Sequence, residues 1–199
     1  MIEQISLTQT YAFTKIINNL DYDDLKEAIL NSSRISFDFK EKSDNSHYTG
    51  ETIFPHKNQT ASKLKEAVVD FAKEALNKDL KIVDIWAVVL NNGQATSYHR
   101  HSSNTHMFPQ EYWSGVIYIS APEGSSRLCL YTQVCNTIEN CYQIEPQQGL
   151  AVLFNSYVPH QTEMHKNNEP RICVSFNLEP LSPNKTLVPD MTPYHQGEL

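Results

Sequence analysis

The sequence has little of what membrane proteins and nucleic-acid-binding proteins need. Its longest unbroken run of apolar residues, Ile85 to Leu90, has six members, whereas a membrane-spanning helix needs about 20. Lysine and arginine number 16 against 23 aspartate and glutamate residues, so the formal net charge is −7, and no stretch concentrates the basic residues. The composition therefore argues against the cationic face that duplex DNA or an anionic membrane requires.

Cysteine patterns, export signals and repeats are missing as well. The four cysteines, Cys129, Cys135, Cys141 and Cys173, fit neither a disulfide scaffold nor a CxxC zinc motif. The first residues lack the basic stretch and the apolar stretch of a secretion signal, and we find no internal repeat or low-complexity segment. With 199 residues, we expect one soluble, cytoplasmic domain whose core can enclose a site. We expect neither a membrane nor a nucleic acid as its partner.

Two segments within the first 80 residues have helical periodicity. The stretch from Asp21 to Leu30 has acidic residues in its first turn and apolar residues at helical spacing. A longer stretch opens at Thr60 and carries an apolar stripe that ends at Leu76. Both predict amphipathic helices that pack one face on a sheet. They belong to a helical and extended N-terminal support, which we place at residues 1–80.

From Leu80 onward, short β-branched and aromatic runs alternate with turn residues. A mostly β fold behind two supporting helices is typical of a β-sandwich or a jelly-roll barrel. We place this core at residues 81–179 of a single domain, and an extended, proline-containing tail at 180–199. The predicted strands lie near residues 80–90, 95–101, 114–120, 127–132, 140–145, 150–155 and 170–178.

Histidine placement is the most informative feature of the sequence. On a strand, whose side chains alternate between two faces, His99 and His101 lie on the same face and can reach one metal ion. His160 follows the apolar run Leu150 to Phe154 at a turn and is the candidate third ligand. A lone histidine is more often a surface or packed residue, but three in this arrangement favour a metal site.

Arg171 opens an alternating segment that ends at Asn177. One face would carry Arg171, Cys173, Ser175 and Asn177, and the other face the apolar residues between them. A buried guanidinium keeps its charge and needs an anionic partner, and its parallel N–H donors match a carboxylate. That partner is either an acidic residue of the protein or a bound carboxylate ligand.

The order and spacing of these motifs resemble those of the non-haem iron(II), 2-oxoglutarate-dependent oxygenases, and most of all a small group of hydroxylases common in phages and bacteria. The resemblance covers about residues 82–179, roughly half of the chain. It implies a double-stranded β-helix, a cupin-like jelly roll, and an enzyme that couples oxidative decarboxylation of 2-oxoglutarate to hydroxylation of an unactivated C–H bond. The segments that carry it are Trp86, Gly93, His99-x-His101, Ser114 to Ile119, Gly149 to Phe154, His160 and Arg171 to Asn177.

The resemblance also implies roles for individual residues. His99 and His160 match the two iron-binding histidines, and Arg171 matches the basic residue that binds the distal carboxylate of 2-oxoglutarate, with Ser175 beside it. Tyr118 matches a tyrosine that hydrogen-bonds this cosubstrate in related prolyl hydroxylases. The implied cofactor is Fe(II), and the implied cosubstrates are 2-oxoglutarate and O2. The substrate would be a small molecule, an amino acid, or a peptide or protein residue such as proline.

His101 departs from this family, most of whose members have aspartate or glutamate at that position. Either all three ligands are histidines, or Glu111 or His106, in the insertion that follows, completes the site; strand geometry favours His101. Three other functions stay open. They are a cupin-type three-histidine dioxygenase that uses no 2-oxoglutarate, a zinc hydrolase or lyase, and a jelly roll that binds a partner without catalysis. The first of these leaves Arg171 unexplained.

Overall fold

Two helices and ten strands build the part of the chain that the computed structural model describes, residues 2–7, 10–32, 50–101, 111–135 and 138–181. Helix α1 covers Tyr22–Leu30 and helix α2 covers Gln59–Leu76. The strands, in chain order, are β1 Glu3–Leu7, β2 Thr10–Ile16, β3 Gly50–Ile53, β4 Leu80–Leu90, β5 Trp113–Ser120, β6 Leu128–Cys135, β7 Ile138–Ile144, β8 Leu150–Asn155, β9 His160–Thr162 and β10 Arg171–Pro180.

The strands form two antiparallel sheets. The larger sheet has the order β1-β2-β8-β5-β10-β4-β3, and the smaller sheet has the order β7-β6-β9. A bridge between His99 and His160 adds the segment 95–101 to the free edge of β9. Buried residues of the two sheets share one apolar cluster, so the sheets pack face to face. The mostly β, double-stranded β-helix fold is therefore confirmed.

The larger sheet is covered on both faces, and each face has its own core. On one face, alternate residues such as Ile117 and Val174 pack against Leu25 of α1 and Val68 of α2. On the other face, residues such as Val116 pack against the smaller sheet, inside the barrel. The period of two along each strand divides the two sets. The helices thus close the outer face and leave the interior for a site.

Capping residues set the limits of both helices. The side chain of Asp21 accepts a hydrogen bond from the backbone N–H of Asp24 (3.0 Å), and that of Asn58 accepts one from Ala61 (2.8 Å). Asn77 ends α2 in the left-handed conformation, with φ of 51°. Both predicted helices are present at nearly the predicted positions. Neither described helix combines the length and the apolar character needed to cross a membrane.

Residues 95–101 do not form the continuous strand that their alternation predicts. The N–H of Thr96 donates to the side-chain Oγ1 of Thr162 (2.7 Å), so the ladder is interrupted there. Its neighbour β9 is only three residues long, and the segment forms isolated bridges at Ala95 and at His99, the second of them to His160. The prediction of a strand was wrong, but this bridge is the part that brings two histidines together.

The larger sheet also differs from the prediction at its ends. Strands β1, β2 and β3 extend it; the sequence predicted extended structure within residues 1–80 but placed no individual strand there. Strand β10 runs on to Pro180, which pairs with Leu80, because β5 no longer flanks β10 beyond Leu178 and no second ladder needs an N–H from the proline. Residues 182–199, most of the predicted tail, lie outside the described residues. The division into support, core and tail stays a prediction.

Candidate metal centre

The structure brings His99, His101 and His160 together inside the barrel. The His99 N–H donates to the carbonyl of His160 (3.0 Å), and the His160 N–H donates back (2.8 Å), so the two backbones are fixed side by side. His101 is tied to the next turn, because its N–H donates to the carbonyl of Ser156 (3.0 Å). One ring nitrogen from each of the three histidines lies within 4.8 Å of the other two.

The ring nitrogens of His99 and His101 are close enough to bind one metal ion. The Nε2 atoms of His99 and His101 are 3.0 Å apart. If an ion lay about 2.1 Å from each nitrogen, the nitrogen–ion–nitrogen angle would be roughly 90°, as it is between adjacent ligands in octahedral coordination. Imidazole nitrogens suit iron, zinc, nickel and copper alike, so the donor set alone does not select the metal.

Burial favours the neutral form of His160 and His101, which is the form that a metal ligand must have. It lowers the pKa of His160 well below its ordinary value, and the neighbouring His99 and His101 lower it further. The pKa of His101 is also lowered, chiefly by burial. A neutral imidazole offers its lone pair to a cation, whereas a protonated imidazole has none to offer.

Of the alternative third ligands, Glu111 does not join this cluster in the structure. Glu111, just before β5, is not among the side chains whose ligand atoms meet there, and within the described ranges no carboxylate is. His106 lies outside the described residues. The geometry thus assembles the three histidines ranked first from the sequence, and their role as ligands stays a prediction.

Arg171 is the largest fully buried side chain of the described core, with 1% of its surface exposed. Its Nη1 lies 3.5 Å from Sγ of Cys173, and its guanidinium carbon lies 4.8 Å from the ring centroid of Tyr118. Its Nε has no hydrogen-bond partner, and none of the ion pairs in the described parts of the chain includes it. A buried guanidinium in this state lacks a counter-charge.

The two polar neighbours of Arg171 do not supply that charge. Burial raises the pKa of Tyr118 to about 12, although Arg171 opposes the rise. Burial also raises the pKa of Cys173, again against the influence of Arg171. Both groups are therefore neutral at pH 7. The buried Tyr118 hydroxyl also lacks a hydrogen-bond partner among the described residues.

The histidines and Arg171 line a single cavity. Ser175, between Arg171 and Asn177 on the same face of β10, lines it too, and Tyr118 stacks on Arg171 from the neighbouring strand β5. The apolar residues that alternate with them, Ile172, Val174 and Phe176, belong to the helix-covered core, as the sequence predicted. The remaining walls include Trp86, Val88, Val116, Leu128, Phe154 and Cys173.

One polar network at the site was missed by the sequence analysis. The side chains of Ser114, Ser156 and Asn177 hydrogen-bond one another and the Nδ1 atom of His101. The alternation places Asn177 on the correct face of its strand, but a face does not reveal partners from other strands. The only usable signal was the alternation of Asn177 with Arg171 and Ser175.

Known proteins resemble this chain in sequence pattern and in fold. A family model described as "Putative 2OG-Fe(II) oxygenase" matches residues 84–177, the segment from β4 to β10. None of the curated proteins matches the sequence significantly. Many solved structures share the fold.

Three of these structures show the kinds of protein that share the fold. HygX from Streptomyces hygroscopicus, with nickel, 2-oxoglutarate and hygromycin B bound, is 10% identical; the match covers 85% of this chain and 83% of HygX, with a TM-score of 0.65. A viral collagen prolyl hydroxylase from Paramecium Bursaria Chlorella virus-1 is 14% identical over 84% of this chain and 96% of its own, with a TM-score of 0.58. A prolyl-4-hydroxylase of Pseudomonas putida is 13% identical, and the match covers 86% of this chain and 93% of the hydroxylase, with a TM-score of 0.57.

The jelly-roll fold, the three-histidine cluster and the family match define the class of this protein, the 2-oxoglutarate-dependent, non-haem iron oxygenases. Within that class, residues 84–177 match the model of the putative 2OG-Fe(II) oxygenase family. The class that the sequence resemblance implied is confirmed.

Proposed function

We propose that this protein binds Fe(II) through His99, His101 and His160, binds 2-oxoglutarate through Arg171, and hydroxylates an unactivated C–H bond of its substrate. When bound, iron supplies the redox chemistry that converts 2-oxoglutarate, O2 and R–H into succinate, CO2 and R–OH. The chain supplies the three nitrogen ligands and a buried cation that binds the far end of the cosubstrate. It also supplies an interior that excludes water.

The buried, unpaired Arg171 is the observation that carries this proposal. Its guanidinium shares a cavity with the three histidines and has no protein carboxylate as partner in the described regions. A dicarboxylate with one end near the metal and the other at Arg171 would supply the missing negative charge and two acceptors for the parallel N–H donors. The Tyr118 hydroxyl, also without a partner, can donate to the same carboxylate, and Ser175 lines the cavity beside it.

The all-histidine ligand set has an electrostatic consequence. A carboxylate ligand would remove one positive charge from the centre, whereas three neutral imidazoles leave the full charge of a divalent ion. A dianionic cosubstrate then meets the charge of the ion and that of Arg171. We infer that this excess of positive charge strengthens the binding of the 2-oxo acid.

For the substrate, we propose an amino-acid or peptide residue, with prolyl residues as the first to test. Two of the structural relatives are prolyl hydroxylases, and this supports the choice at the level of fold. HygX, whose structure holds hygromycin B, shows that the same fold also accommodates small molecules. A panel of prolyl peptides and free amino acids, scored by mass spectrometry for a gain of one oxygen atom, tests this part.

The metal and cosubstrate assignment is tested by calorimetry under anaerobic conditions. Metal-free protein is titrated with Fe(II) and then with 2-oxoglutarate. We expect one Fe(II) per chain and 2-oxoglutarate binding that requires the metal. His160→Ala should abolish Fe(II) binding, and His56→Ala, at an exposed histidine away from the site, is the matched control and should bind Fe(II) normally.

Two results would contradict the proposal. Fe(II) binding without any affinity for 2-oxoglutarate would favour the cupin-type three-histidine dioxygenase, whose ligand set the cluster shares. A wild-type protein that binds no Fe(II) would exclude the oxygenase function for this chain. In that case zinc titration would separate a hydrolase or lyase from a jelly roll without a metal.

A further inference from the structure

The three histidines differ in what holds the ring nitrogen that faces away from the cluster. Nδ1 of His99 lies 2.6 Å from the carbonyl of Ser97, and Nδ1 of His160 lies 2.9 Å from the carbonyl of Val158. A backbone carbonyl can only accept, so each of these nitrogens carries the hydrogen. The Nε2 atom of each ring then keeps its lone pair and can bind a metal ion.

His101 is held by a side chain instead. Its Nδ1 lies 2.6 Å from Oδ1 of Asn177. An amide group can present either its oxygen or its NH2, depending on its rotation. If the NH2 faced His101, Nδ1 would have to accept, the hydrogen would move to Nε2, and His101 would lose the lone pair that a metal requires.

Two neighbours decide which way the amide of Asn177 points. Oγ of Ser114 donates to Oδ1 of Asn177 (2.8 Å), and Oδ2 of Asp84 lies 3.4 Å from its Nδ2 and accepts from it. The three residues are direct cross-strand partners in a row across β4, β10 and β5. A rotated amide would set an oxygen against the carboxylate of Asp84 and an NH2 against the hydroxyl hydrogen of Ser114.

The hydrogens around Nδ1 of His101 all have acceptors, and the contact that opposes this arrangement lies on the other side of the ring. Nε2 of His101 is 3.0 Å from Nε2 of His99, so in the metal-free protein a hydrogen on Nε2 of His101 would be donated to His99. Ser114 uses its one hydroxyl hydrogen on Asn177, so at 2.8 Å it accepts from the hydroxyl of Ser156. The Nδ1–H of His101 donates to Asn177, with Oγ of Ser114 as a second acceptor at 3.0 Å. Ser114 and Ser156 are both buried, so water does not compete for these bonds.

We propose that Asn177, oriented by Ser114 and Asp84, is a positioning residue that fixes His101 in the tautomer with the hydrogen on Nδ1, so that its Nε2 faces the metal. This inference rests on the proposed function, because it concerns the same metal site. It also explains what a histidine in this position requires. A carboxylate has lone pairs on both oxygens and needs no such control, whereas an imidazole binds a metal in only one of its neutral tautomers.

Two variants separate this role from simple packing. Asn177→Leu removes the acceptor. The exchange variant, Asp84→Asn with Asn177→Asp, keeps the total charge and restores an acceptor to His101, since a carboxylate can only accept and the amide at position 84 can donate to it. The ring nitrogens are observed by 15N–1H NMR of the metal-free protein, and Co(II) affinity is measured by calorimetry. His99 and His160, held by carbonyls, are internal controls in the same spectra.

We expect the wild type and the exchange variant to show His101 with its hydrogen on Nδ1 and to bind Co(II) comparably. Asn177→Leu should show a mixture of tautomers at His101 alone and bind Co(II) about 10- to 100-fold more weakly. An unchanged tautomer and unchanged affinity in Asn177→Leu would overturn the proposal, and so would an exchange variant that fails to recover both. A metal-free wild type in which His101 carries its hydrogen on Nε2 and donates it to His99 would overturn it as well. A wild type that binds no Co(II) would contradict the metal site instead, and the NMR result would still decide the role of Asn177.

Discussion

The two faces of the larger sheet are made by the same strands but bury different kinds of side chain. On the face toward the helices, residues such as Ile117, Val174 and Phe176 are fully buried and apolar, and α1 and α2 cover them. On the face toward the barrel interior, the same strands present Tyr118, Arg171 and other polar groups among apolar neighbours. The face toward the helices buries apolar side chains, which stabilise the fold. The face toward the interior carries buried polar atoms for which the described protein supplies no partner.

This difference indicates that the interior face is adapted to bind a ligand, whereas the face toward the helices is adapted to pack. A buried guanidinium without a counter-charge lowers the stability of the ligand-free protein, because its desolvation is not compensated. The face toward the helices carries no buried charge, and its unpartnered buried donor, Nε1 of Trp113, is neutral. Substitutions on the two faces should therefore separate stability from affinity.

The largest effect on stability is expected at Phe176, on the face toward the helices. Its ring is fully buried, and the space above Gly115 is so restricted that an added Cβ there would lie 2.4 Å from the ring. Phe176→Ala should lower the free energy of unfolding by about 3–5 kcal/mol, because it removes a large side chain from a closed core. Urea denaturation measures this loss.

The matched control for Phe176→Ala is Val83→Ala, at an exposed position of the adjacent strand β4. It should change the free energy of unfolding by less than about 0.5 kcal/mol. A loss below about 1 kcal/mol for Phe176→Ala would show that the face toward the helices is not the stabilising one.

A smaller effect, of the opposite kind, is expected at Tyr118 on the interior face. Its hydroxyl is buried without a partner among the described residues, so Tyr118→Phe should leave the stability of the ligand-free protein unchanged or raise it. Affinity for 2-oxoglutarate should fall about 10-fold, equivalent to roughly 1.4 kcal/mol, through loss of one hydrogen bond to a carboxylate. Calorimetry with the metal-loaded protein measures this change. Reduced stability with unchanged affinity would instead assign the hydroxyl to the protein's own packing.

The sequence predicted those features that depend on local pattern. The acidic first turn after Asp21 and the apolar stripes predicted both helices, and the alternation from Arg171 to Asn177 separated a polar face from an apolar one correctly. The pair His99 and His101 was visible because a strand repeats every two residues. The segment kept its two histidines directed at one point even though its ladder is interrupted.

Features that depend on pairing between distant strands were beyond the sequence. The row of Asp84, Asn177 and Ser114 exists only through the register of β4, β10 and β5, and no local pattern specifies a register. The lack of a partner for Arg171 likewise depends on every strand packed around it. Both are properties of the assembled barrel, and they are the observations on which the two proposals depend.

The central claim, that the interior face is built for a ligand, is tested most directly by Arg171→Met. Methionine occupies a similar volume without the charge, so the barrel should still close. We predict that 2-oxoglutarate affinity falls at least about 100-fold, while the ligand-free protein is as stable as the wild type or more so. A variant that loses more than about 2 kcal/mol of stability and still binds 2-oxoglutarate like the wild type would contradict the account, because Arg171 would then be a structural residue.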